Sequence, residues 1–215
     1  RLGPEAAPQT LGVDEAYSVT ELETQLPKWL ENKSAVWFPF AIHDGLAARV
    51  EGWLSQVRAR VRLGAICPAR QMDACTLLDE MRLIKDAHEI EVMRRAGHIS
   101  AQAHVRAMQC SARMLRAGQE VREYHLDAEL MHEVRRQGSQ SVAYTSSVAA
   151  GANACVLHYR ANDGLLADGQ LLLIDAGCEL DGYASDITRT FPVNGRFSKA
   201  QRAVYEIVLA AQTAA

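Results

Sequence analysis

The sequence predicts an α+β fold with antiparallel strands, and three observations carry that prediction. Apolar or small residues recur at steps of three and four from Asp86 onward, in Ile90, Met93, Gly97, Ala101, His104 and Met108, as on one face of a long helix. The apolar run "QLLLIDAG" (170–177) follows the turn signal Asp168-Gly169 and reads as a buried strand. Asp181-Gly182, between two strand-like runs, is a hairpin signal. With 215 residues, 48% of them hydrophobic, and a net charge of -3, the chain suits an ordinary globular protein of one large or two small domains. It has no basic excess to suggest nucleic acid as a partner, and no apolar run approaches the roughly 18 residues of a membrane span.

The elements follow in order. Before Asp79, short helices and strands alternate, as in a small α/β domain. "ELETQLPKWLENK" (21–33) and "GLAARVEGWLSQVRARV" (45–61) have helical period, and "SAVWFPF" (34–40) reads as a buried strand. A domain boundary is expected near Asp79–Asp86, giving domains 1–80 and 81–215. The long helix from Asp86 is followed by a second, "VREYHLDAELMHEVRRQG" (121–138), which should end at Gly138 after two arginines. "SVAYTSSVAAG" (141–151) and "CVLHY" (155–159) read as strands. Ser198 and Gln201 have capping-box spacing and open a last helix. The helical pattern still runs at Ala215 and the N-terminus lacks a Met, so the chain is expected to be a piece of a longer protein. The five cysteines, Cys67, Cys75, Cys110, Cys155 and Cys178, are widely spaced without a CxxC, as free thiols of a reducing cytoplasm would be.

Chemistry concentrates in "LLLIDAGCELDGYASDITRTF" (171–191). In an antiparallel hairpin with an even loop, Asp175 and Asp186 share one face. A two-residue loop at Leu180-Asp181 would set them directly opposite, with Cβ atoms roughly 5 Å apart. Opposed like charges destabilise a sheet, and burial raises the cost. The neighbours on that face, Leu173, Gly177, Ala184 and Thr188, offer no Lys or Arg. A cation held between the acids resolves the conflict, and oxygen ligands without Cys favour a hard or borderline metal such as manganese. Solvated acids flanking a turn are the simpler alternative. Other histidines (His43, His88, His98, His104, His125, His132) lie on or beside predicted helices without a clear ligand set and read as solvated or capping residues. Tyr159 reads as packing. Gly151 and Asn153 fit either a substrate-facing strand or an ordinary turn.

The segment 171–209 resembles the Xaa-Pro aminopeptidases (aminopeptidase P), of the pita-bread metallopeptidases. The resemblance rests on Asp175 closing a buried strand, Gly182-Tyr183, Asp186, and Thr188-Arg189-Thr190, in that order. "GANACVLHY" (151–159) resembles the family segment that supplies an active-site histidine, here His158. The likeness weakens before Asp79. It implies a pita-bread catalytic domain, of which this chain carries the first half, behind part of a smaller α/β N-terminal domain. It further implies two divalent metal ions, taken as Mn²⁺, held by Asp175 and Asp186 together with a His and two Glu beyond Ala215. A hydroxide bridging the metals would attack, and His158, not itself a ligand, would serve as a catalytic residue facing the substrate. The implied substrates are peptides with an N-terminal Xaa-Pro pair, and the implied full-length protein is a cytoplasmic homo-oligomer. A prolidase and a non-catalytic peptide-binding module are the alternatives. The present fragment is expected to be inactive.

Overall fold

The computed structural model describes residues 2–215, which divide into two units at Ile84/Lys85, just beyond the end of a helix. The first unit contains α1 (Ala7–Leu11), α2 (Leu22–Leu30), β1 (Ala35–Phe38), α3 (Leu46–Ala59), β2 (Arg70–Asp73) and α4 (Ala74–Leu83). β1 and β2 pair in parallel, with Ala35 opposite Arg70 and Phe38 opposite Asp73. Leu30, Phe38, Val50, Trp53, Leu54 and Val57 form its core. Trp53 also donates its indole N–H to Glu23 over 2.6 Å, which satisfies the polar end of a buried ring.

The second unit begins with α5 (Ala87–Arg116). Asp86 caps it, accepting from the Glu89 N–H at 2.8 Å, while the Glu89 carboxylate accepts from the Asp86 N–H at 2.7 Å. The buried stripe of α5 is Val92, Ala96, Ile99, Ala103, Ala107 and Cys110. The expected stripe is therefore displaced around the helix: Ile90 and Met93 are exposed, and of the six expected residues His104 alone is fully buried. Alanines carry the real stripe. They let α6 (Glu123–Arg136) pack closely, and their weak hydrophobicity conceals the face in the sequence. α6 ends as expected, with Gly138 at φ 95°.

β3 (Ser141–Val142), β4 (Ser147–Ala150), β5 (Leu171–Ala176), β6 (Cys178–Leu180), β7 (Tyr183–Ala184) and β8 (Ile187–Pro192) follow, and α7 (Lys199–Ala214) comes last. α7 opens on the Ser198–Gln201 capping box. All strand pairs of this unit are antiparallel, in two three-stranded sheets ordered β4-β5-β8 and β3-β6-β7. "CVLHY" is not a strand. Residues Gly151–Cys155 form a 3-10 turn, and the loop beyond turns its donors to a side chain instead of a ladder. β5 is buried on one face through Leu172, Ile174 and Ala176 against α5 and α6, and only half-buried on the Leu171, Leu173 and Asp175 face.

One twisted ribbon links the two sheets. Leu180 pairs with Tyr183, so the two-residue turn is Asp181-Gly182, one residue later than expected. Both turn residues have positive φ, 49° and 84°, as a type I′ turn requires, and Asp-Gly meets that demand where Leu180 would not. The ribbon crosses from one sheet to the other at Gly177. A Cβ there would stand 1.7 Å from the Ser185 carbonyl oxygen, so no side chain fits. Beside it the Ser100 hydroxyl, from α5, accepts the Cys178 N–H at 2.9 Å and meets the Ser185 hydroxyl at 2.7 Å, which docks the ribbon on the helix.

Candidate metal centre

The shift of the turn by one residue resets the two acids. Asp175 pairs with Thr188, not Asp186. Continuing that register sets Asp186 opposite Gly177, so the carboxylates are diagonal neighbours on the same face of the ribbon. They nonetheless meet, through Tyr144, on the irregular segment between β3 and β4. Its hydroxyl lies 2.6 Å from Asp175 Oδ1 and 2.7 Å from Asp186 Oδ1. Asp175 is half-buried and Asp186 is exposed at the ribbon's edge, so the site opens to solvent on one side.

The cluster is short of positive charge. A phenol has one proton and donates it to one carboxylate at a time. The other short oxygen–oxygen contact is favourable only when a proton or a cation lies nearby. Among the described residues neither acid is ion-paired. Burial, then the two carboxylates, push the Tyr144 hydroxyl well above the usual phenol range, so it remains a donor at neutral pH. Two hard oxygen donors aimed at one place and lacking a counter-charge fit a divalent metal. The set is incomplete, because no three His, Cys, Asp or Glu side chains among the described residues form a group that could hold an ion.

His158 stands apart from such a group. It is exposed, on the loop after the 3-10 turn, with φ 52°. A left-handed backbone costs a residue other than glycine about 1 kcal/mol, so the loop is held there by its anchors. Those anchors lead to Glu123 at the start of α6, fully buried and contacted by Asn153 and Tyr159. Tyr159 is thus more than packing, and Asn153 turns its amide inward. Of the helical histidines, His125 accepts the Arg122 N–H at 3.0 Å as part of the α6 cap. His104 is neither solvated nor capping: it is 2% exposed, bonded through Nδ1 to the Ser100 carbonyl at 2.9 Å, with Nε2 unpartnered. Sequence reasoning passed over Tyr144 and Glu123. Tyr144 lies in an uncharged, serine-rich segment with nothing nearby to draw notice, and Glu123 looks like any acid in a first helical turn.

An α+β unit of two antiparallel three-stranded sheets packed on helices, with two aspartates converging on one ribbon, fits part of a metallopeptidase-like catalytic domain. Comparison with known proteins makes this specific: residues 91–215 match the family model "Metallopeptidase family M24", and the chain belongs to that family. The Xaa-Pro aminopeptidase of Escherichia coli K12 is 44% identical over 210 residues, which is 97% of this chain and 46% of that protein. A Pseudomonas aeruginosa aminopeptidase PepP structure superposes with a TM-score of 0.92 at 44% identity, covering 99% of this chain and 47% of the other. A zinc-substituted Escherichia coli aminopeptidase P in complex with product gives 0.88 at 43% identity, covering 98% and 46%. The fold is the pita-bread fold of these relatives, and the chain spans about half their length.

Proposed function

We propose that the protein to which this chain belongs is a metal-dependent aminopeptidase that releases the N-terminal residue from peptides with proline in second position. The observation that carries the reading is the convergence of Asp175 and Asp186 on one phenol proton without a counter-charge. The M24 match and the Xaa-Pro aminopeptidase relatives support it. An Xaa-Pro bond is a tertiary amide with a constrained ring, which explains the need for a dedicated site. Asp175 and Asp186 would hold two divalent ions, taken as Mn²⁺, together with ligands from outside residues 1–215. When bound, such ions polarise the scissile carbonyl and lower the pKa of water.

This chain's own residues do the rest. The Tyr144 hydroxyl, in contact with both carboxylates, would steady them as ligands. His158, exposed on its loop, hydrogen-bonds the scissile carbonyl oxygen or the adjacent substrate backbone. The five cysteines are free, in keeping with a reducing cytoplasm as the protein's place. The Xaa-Pro aminopeptidases among the relatives favour this reading over a prolidase, and a non-catalytic module has no need of two converging acids.

The test is Asp186→Asn in the full-length protein. A neutral amide would be a poorer ligand for a divalent cation than the carboxylate it replaces. Turnover of an Xaa-Pro peptide should vanish and bound metal should fall, with the circular dichroism unchanged. Losing the like charge beside Asp175 should leave apo stability level or slightly higher. Normal turnover with Mn²⁺ would overturn the reading.

A further inference from the structure

We propose that Glu123 is the positioning residue of His158, gathering from the first turn of α6 the loop that carries the histidine. The proposal rests on the reading of His158 as a residue of the reaction. Glu123 is 0% exposed and has no cationic partner among the described residues. Its Oε1 accepts from the Ala150 N–H at 2.7 Å and from the Asn153 amide at 2.9 Å. Its Oε2 accepts from the Tyr159 hydroxyl at 2.8 Å and from the Gly164 N–H at 2.8 Å. All four donors are neutral, and all belong to the single segment 150–164.

A buried carboxylate without a cation is costly, and an apolar side chain of similar volume would fill the space without that cost. What the carboxylate adds is direction. Asn153 precedes His158 and Tyr159 follows it, so both sides of the histidine are tied to one side chain. Burial and the Glu123 charge push the Tyr159 hydroxyl up to about 12, which keeps it a donor at neutral pH. The loop backbone closes onto the carboxylate at Gly164, where a Cβ would come within 2.8 Å of Glu123 Oε1 and 2.7 Å of the Asn153 amide. The far end is pinned separately. Asn162, also left-handed at φ 49°, accepts from the Val148 N–H and donates to the Ser146 carbonyl, each over 2.9 Å. Left-handed backbone at His158 persists because these contacts over-determine it. The bonds are made to the loop and not to the histidine ring, so Glu123 acts through position alone.

Glu123→Gln keeps the shape but turns an NH₂ toward a donor, and the Gly164 N–H cannot reverse its role as a hydroxyl can. The experiment is a double-mutant cycle in the metal-loaded full-length protein, with Glu123→Gln, His158→Ala and the double variant assayed on an Xaa-Pro peptide. Glu123→Gln is expected to lower kcat about tenfold to a hundredfold, the scale of a small misplacement in a site. Metal content should match wild type. In the His158→Ala background the same change should cost less than about twofold, because there is no histidine left to misplace. An equal loss in both backgrounds overturns the positioning role and leaves the reading of His158 intact. Unchanged turnover in His158→Ala alone overturns that reading, and this proposal with it. If Glu123→Gln does not fold, Tyr159→Phe removes one donor of the set. Its smaller kcat loss should again disappear in the His158→Ala background, and wild-type kcat in Tyr159→Phe overturns the role.

Discussion

Tyr144 is where residue chemistry decides most. Its hydroxyl is the only described group that touches both aspartates, so Tyr144→Phe removes no metal ligand but frees both carboxylates to rotate. Loss of an outer-shell partner of this kind costs about 10–100-fold in metal affinity. Full-length Tyr144→Phe should therefore release Mn²⁺ at correspondingly lower chelator concentration, and a wild-type titration would remove Tyr144 from the site. A second residue tests the interior behind the ribbon. Asp127 and the unpartnered His104 Nε2 line, with Ser100 and Ser146, a cavity of about 10 Å³, room for a single water. Burial raises the Asp127 carboxyl above the usual range, only partly opposed by its hydrogen bond to Ser146. The fold thus disfavours the ionised form. That penalty is full at neutral pH, shrinks as pH falls through the raised folded value, and is gone below the unfolded value of about 3.9. Asp127→Asn should raise Tm by a few degrees at pH 7 and leave it unchanged near pH ~3.5. A gain of equal size at both pH values would rule out the burial of charge as its cause. None of this was visible in the sequence. The pair Asp175 and Asp186 could be read from period-two alternation and a turn signal, but a tyrosine that reaches them from 31 and 42 residues away leaves no local mark.

At the scale of elements, the sequence was most legible where local chemistry is self-sufficient. The long helix starts at Asp86, the Ser198–Gln201 capping box forms as its side-chain types require, and Gly138 ends α6. It was least legible where tertiary contacts choose. The face of α5 is set by the alanines that admit α6, and "CVLHY", β-branched and aromatic enough for a strand, is taken out of any ladder by its bonds to Glu123. The hairpin lies between these cases: the parity that sets both acids on one face survives, while the turn moves by one residue and each pairing partner by two, because positive φ is tolerated at Asp181-Gly182 and not at Leu180. Gly177 is the hinge of that element. Gly177→Ala would drive a Cβ to 1.7 Å from one backbone atom and 2.6 Å from the next, and neither can yield as a flexible side chain would. The expected cost is about 3 kcal/mol or more, read as a fall in urea midpoint with an unchanged slope. Because Asp175 and Asp186 lie on either side of the crossing, metal affinity should fall with it. A variant within about 0.5 kcal/mol of wild type would mean that the ribbon does not cross so closely.

For the molecule as a whole, the second unit leaves apolar surface open. Val204, Ile207 and Val208 on α7 are 62%, 71% and 61% exposed. A groove of about 530 Å³ runs between α7 and β8, lined by Leu171, Thr190, Phe197, Val204, Tyr205 and Val208. β8 is a sheet edge, with backbone donors and acceptors available to another strand, whereas the outward N–H groups of β4 are taken by Asn162 and Glu123. Adjacent apolar residues and an open edge of this kind drive association. The relatives it matches are about twice as long. Residues 1–215 produced alone should therefore self-associate, seen as mass above the monomer in light scattering and as lower solubility at raised salt, where apolar contacts strengthen. They should also bind Mn²⁺ poorly and show no turnover of an Xaa-Pro peptide. Two carboxylates leave an ion mostly water-coordinated, and tight sites need a full ligand set with its supporting hydrogen bonds. The two readouts separate the causes. Adding an excess of metal should not restore turnover, because the deficit lies in ligands and not in occupancy. A soluble monomer of 1–215 that turns over substrate with Mn²⁺ would mean that the ligand set is complete within these residues, and that Asp175 and Asp186 are not half of a larger centre.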